Sequence, residues 1–142
     1  MPPQDPNATF CLARGLYEDG QYAAAEPLLE TLSPAPGLTQ DRRFMSRMLL
    51  VEDELRLEHP DRAEALLKQL ASEVPNAVGV HYTLGSIYQV QGRLSEAQNE
   101  YLLEYKISGN SLAGEQALKL SRRLSTNPSA QWPSRRQSPP RP

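Results

Sequence analysis

Between Ala8 and Thr126 the apolar residues recur at intervals of three and four instead of alternating, which is the spacing of helices that bury one stripe. Ala13, Leu16 and Tyr17 form the first set, and Leu28, Leu29 and Leu32 the second. Met48, Val51 and Leu55 follow, then Leu66, Leu67 and Leu70, then Leu84, Ile87 and Tyr88. Leu112, Ala117, Leu120 and Leu124 close the series. Helix-breaking residues separate the sets: Gly20, Pro34-Ala35-Pro36-Gly37, His59-Pro60, Pro75-Asn76, Gly92 and Gly109-Asn110. The pattern predicts seven helices of about 12 to 15 residues, the last from about Ser111 to Ser125. Tight turns and no strand signal make the expected fold all-α, an antiparallel stack. Pro27 falls inside the second helix, where it removes a hydrogen bond and is expected to kink or delay it.

The pattern also repeats. Leu50 and Leu84, Ala63 and Ala97, and Leu67 and Tyr101 are each 34 residues apart. Ala25 and Ala63 are 38 apart, which puts four extra residues in the loop around 33–41, where added chain costs little. The third period reads Leu84-Gly85, Tyr88, Gly92, Leu94, Ala97, Tyr101. The first reads Leu12-Ala13, Leu16, Gly20, Tyr22, Ala25, Leu29, Leu32, and the second Leu50-Val51, Ala63, Leu67, Leu70, Pro75. Small residues sit where helices cross closely, large ones fill the groove between them, and glycine supplies the turn.

On these residues the chain resembles the tetratricopeptide repeat family over about Pro6 to Ile107. The resemblance implies a right-handed superhelical stack of helix pairs, with repeats at about 6–39, 44–77 and 78–110 and a capping helix at 111–125. The second repeat departs from the pattern, with Glu54 and Glu58 where the family has an aromatic residue and a glycine, so its turn is expected to rest on His59-Pro60. In this family the first helix of each pair lines a concave groove. Carried over by position, the groove residues are Asn7, Phe10, Arg14 and Tyr17, then Met45, Met48, Leu49, Glu52 and Leu55, then Tyr82, Ser86 and Gln89. The implied surface is apolar at its centre, carries two methionines that adapt to irregular partners, and is ringed by Arg14, Glu52 and Gln89. It suits an extended or helical protein segment, apolar with few charges. The clamp that some members use for acidic chaperone tails needs asparagines that are absent at the matching positions.

Composition narrows the alternatives. The 142 residues suffice for one packed core or a short repeat array. Residues 1–126 carry 12 basic against 17 acidic side chains, a net of −5, while residues 127–142 carry three arginines and no acid. An acidic folded part with few aromatics argues against a nucleic-acid partner. No apolar run is long enough to insert into a bilayer, and the N-terminus lacks the charged and apolar regions of a leader, so the expected compartment is the cytoplasm. The proline-rich ends, residues 1–6 and 127–142, are expected to be disordered. Within the second, Trp132 stands out, and the Pro/Arg run beyond it matches ligands of SH3-like modules or a plain soluble tail.

Candidate chemistry is sparse. Cys11 is single and has no histidine near it, so it reads as a small, partly buried thiol. His59-Pro60-Asp61 matches the signature tripeptide of J-domain cochaperones, but the helix before it is acidic instead of basic. Pro60 in a first helical turn, followed by Asp61, accounts for it. Glu52, Asp53 and Glu54 read as a solvated helix face. With two histidines and no HxxxH spacing, a metal site would need carboxylates from elsewhere in the chain, and no cofactor or metal is expected. The expected function is a non-catalytic adaptor, scaffold or chaperone-like protein, with self-association into a larger assembly, such as a secretion or pilus assembly component, as the alternative.

Overall fold

The structure, a computed structural model, describes residues 5–126. Residues 1–4 and 127–142, including Trp132 and the expected disordered tail, lie outside the described residues. Among the described residues there are seven helices and no strand: α1 (Pro6–Glu18), α2 (Tyr22–Leu32), α3 (Gln40–Arg56), α4 (Pro60–Glu73), α5 (Val80–Val90), α6 (Leu94–Ser108) and α7 (Ser111–Thr126). They fall into two compact units that divide between Lys68 and Gln69, inside α4.

The first unit packs α1 on α2, α2 on α3 and α1 on α3. Asp5 caps α1 by accepting the Asn7 N–H at 3.0 Å, and Pro6 takes the first helical position, where its missing N–H costs nothing. The N-terminal segment expected to be disordered is therefore helical from Pro6. Phe10, Ala13, Ala25, Leu29, Leu32 and Leu50 form the core, with Leu16, Leu28, Leu38 and Leu66 packed on it. Each fully buried leucine contributes about 1.5–3 kcal/mol of transfer free energy. Helix α2 starts at Tyr22 and runs through Pro27 to Leu32, so the proline does not delay it. The loop after α2 is held by Arg43, whose guanidinium donates to the carbonyls of Leu32 (3.4 Å), Ser33 and Ala35 (2.9 Å). The Leu32 carbonyl also accepts the Ala35 N–H at 3.2 Å, so the guanidinium and the turn together satisfy the end of α2.

The second unit packs α5 on α6 and α6 on α7. Leu84, Ile87, Tyr88, Leu94, Ala97 and Tyr101 are buried, as are Ala113, Ala117, Leu120 and Leu124 of α7. Leu112, assigned from its spacing to the buried stripe, is exposed, and Ala113 takes that place. Gly85 allows Tyr101 to lie against the backbone of α5.

Three turns share one hydrogen-bond pattern. Gln21 N–H donates to Leu16 O, His59 N–H to Glu54 O and Arg93 N–H to Tyr88 O, each at 2.8 Å. The residue before each donor has positive φ: Gly20 (80°), Glu58 (63°) and Gly92 (77°). The second turn therefore keeps the glycine conformation with a glutamate in it, a correction to the expectation that His59-Pro60 alone would shape it. Ala25, Ala63 and Ala97, each four residues after the donor, are completely buried.

Candidate functional site

Helices α1 and α3 leave a cleft of about 390 Å³ between them in the first unit. Phe10, Arg14 and Met45 line it together with Cys11, Glu18 and Arg42. Arg42 lies over the Phe10 ring with its guanidinium carbon 5.0 Å from the centroid, a cation–π contact that roofs a buried aromatic floor. Phe10 is only 3% exposed, so it shapes the floor and offers little surface to a guest. Met45 is 49% exposed and offers a flexible apolar side chain. Arg14 pairs with Glu18 at 3.1 Å along the exposed side of α1. Cys11 is exposed, not partly buried as its neighbours suggested.

The other sequence-assigned positions of this unit divide by burial. Asn7 is exposed at the start of α1. Tyr17 stacks obliquely on Tyr22, with centroids 5.3 Å apart, and donates to Glu52 Oε2 at 3.1 Å. Burial raises the Tyr17 phenol above its ordinary pKa, with the Glu52 charge adding to the rise. Met48, Leu49 and Leu55 are half-buried, and Leu49 packs on the core.

Tyr82, Ser86 and Gln89 lie on α5 in the second unit, and Tyr101 ties them together. The Tyr82 and Tyr101 rings meet edge to face at 5.4 Å, Tyr101 Oη donates to Gln89 Oε1 at 2.8 Å, and Ser86 Oγ lies 3.2 Å from the same phenol. Burial raises the Tyr101 phenol. The unit also has a groove of about 540 Å³ between α6 and α7, which the sequence reading did not single out. Leu102, Tyr105, Gly114 and Leu118 line it, and the three large side chains are 39–54% exposed. Helix α6 turns Leu94, Ala97 and Tyr101 inward and exposes Leu102, Leu103 and Tyr105 among Glu96, Asn99 and Lys106, so its outer side is mixed and marks its orientation poorly.

The acidic triplet of α3 is not a solvated face. Glu52 is exposed, but Asp53 and Glu54 are both 0% exposed. Neither oxygen of Asp53 has a hydrogen-bond partner. Burial, reinforced by the charges of Glu26 and Glu54, pushes the Asp53 carboxyl up to about 6. Glu54 Oε2 lies 2.8 Å from His59 Nδ1. Arg62 reaches Glu26 at 3.2 Å, Glu30 at 2.9 Å and Glu54 at 3.6 Å. The Glu26 carboxyl is raised first by its hydrogen bond to Glu54 and then by burial.

No family model matches the chain, and no curated protein matches it either.

Proposed function

We propose that the chain is a non-catalytic protein-interaction module of the tetratricopeptide type, a right-handed stack of helix pairs that binds a protein segment on the side formed by the first helix of each pair. The α1–α3 cleft carries this reading, because three of the residues assigned to the groove by position, Phe10, Arg14 and Met45, line a single concave surface. The three equivalent turns and the three buried alanines, spaced by 38 and 34 residues, support the repeat on which that assignment rests. Met45 supplies adaptable apolar contact and Arg14, Arg42 and Glu18 a rim of mixed charge, which together suit a short, mainly apolar segment with few charges. A peptide array probed with the full chain tests the reading. Met45→Glu and Arg14→Glu, both at exposed positions, should each abolish most of the captured signal. Unchanged binding in both variants rejects the cleft.

A second reading has its own observation. The α6–α7 groove exposes Leu102, Tyr105 and Leu118 along one surface, which favours self-association through the last helices. Sedimentation over a wide concentration range distinguishes the two, because a strict monomer removes the second.

A further inference from the structure

We propose that Glu26, Glu54 and His59 form a binding site for a divalent transition-metal ion of the zinc class. The site does not depend on the groove reading above. One carboxylate oxygen from each glutamate and one ring nitrogen of His59 all lie within 4.8 Å of one another. They come from α2, α3 and the residue before α4, so the tertiary fold assembles them. A tetrahedral zinc site places its ligand atoms about 3.4 Å apart. Glu26 and His59 have side chains 23% and 44% exposed, so an ion can reach both from solvent.

Two observations besides the proximity of these groups point to a cation. Glu54 is completely buried, yet its Oε1 has no hydrogen-bond partner. Next to it in the chain, Asp53 is equally buried with both oxygens unpartnered. Buried carboxylate charge costs several kcal/mol unless it is neutralised. The resident cation, Arg62, is divided among Glu26, Glu30 and Glu54, and its closest approach to Glu54 is 3.6 Å. One guanidinium does not balance the carboxylates around it. A divalent ion ligated at Glu54 Oε1 would supply the missing charge there, while Arg62, 54% exposed, keeps its pair with Glu30. An imidazole with two carboxylates selects zinc, cobalt or nickel over calcium or magnesium, which take oxygen ligands. Three protein ligands leave one position for water.

The test uses the full chain freed of metal by chelation. Zinc is titrated by calorimetry and cobalt by visible absorption. The expected results are one ion per chain, a higher Tm with saturating zinc and a cobalt d–d band. His59→Ala and Glu26→Gln should each weaken binding by at least about tenfold and remove the band. His81→Ala, at the chain's other histidine, should change neither. Arg62→Ala should lower the Tm without metal and tighten zinc binding, since the guanidinium competes for the same carboxylates. Absence of binding to the wild-type chain means that Arg62 and the hydrogen bonds within the cluster already satisfy it, and it overturns the proposal. Binding that survives His59→Ala overturns it equally.

Discussion

A Cβ built on Gly85 would stand 2.8 Å from Cε1 of Tyr101 and 2.9 Å from its Cδ1. The ring cannot give way. Tyr101 is 2% exposed, is anchored to Gln89 through its hydroxyl, and meets Tyr82 edge-on. Alanine ordinarily gains about 1 kcal/mol over glycine inside a helix. Here the overpacking outweighs that gain, and Gly85→Ala should lose about 1–3 kcal/mol in denaturant unfolding. Gly114 is the contrast. Its added Cβ would meet Tyr105 at 3.0 Å, but that ring is 49% exposed and can swing into solvent. Gly114→Ala should therefore be neutral or stabilising by up to about 1 kcal/mol.

Glu104 caps a helix to which it does not belong. The N-cap of α5 is Gly79, which has no side chain to offer. Glu104, completely buried on α6, accepts the Gly79 N–H at 3.1 and 3.0 Å and the Tyr82 N–H at 3.2 Å. Its negative charge also sits at the positive end of α5. Glu104→Ala leaves buried donors unpaired and should cost about 2–4 kcal/mol. Glu104→Gln keeps an acceptor but loses the charge, so its Tm should fall between the two.

The helices and turns were legible in the sequence because each rests on local chemistry. Gly20 and Gly92 stand where φ is positive, and Pro60 and Asp61 open α4. The polar interior was not legible, because a charged residue at a core position looks like a surface residue when read by composition. The repeat register held a clue. Glu54 aligns with Leu16 and Tyr88, and Glu104 with Leu32 and Leu70, so both glutamates stand at apolar positions. Which partners such a carboxylate finds depends on the tertiary fold, as with Gly79 for Glu104 and His59 for Glu54. The candidate site was legible to a similar degree. Position alone placed Phe10, Arg14 and Met45 at one cleft, but not the burial of Phe10 beneath Arg42.

Glu58 holds φ at 63°, in the left-handed region that disfavours a side chain bearing Cβ. Glycine occupies the equivalent place in the turns at Gly20 and Gly92. Glu58→Gly removes the strain but adds freedom to the unfolded chain. The net expectation is a gain of about 0.5–1 kcal/mol, read as a higher denaturation midpoint with an unchanged slope. Glu58→Ala keeps the Cβ and should show no such gain.

Asp53 should make stability fall as pH rises. Its carboxyl sits at about 6 in the fold, above the value of about 3.9 expected in the unfolded chain. Between these values the folded state holds the proton more tightly than the unfolded state does. The neutral acid is tolerated in the buried site, whereas the carboxylate has no donor to receive it. The stability associated with that proton is therefore fully present below about pH 4 and is lost as pH rises through about 6. The loss is about 2–3 kcal/mol at most, the equivalent of roughly two pKa units. Asp53→Asn mimics the protonated side chain at every pH. In chelator-treated buffer it should match the wild type near pH 4 and exceed it by about 2 kcal/mol at pH 8. Urea unfolding of both proteins across that range checks the sign, and a wild-type curve that climbs with pH relative to the variant would contradict the burial of an unpartnered Asp53.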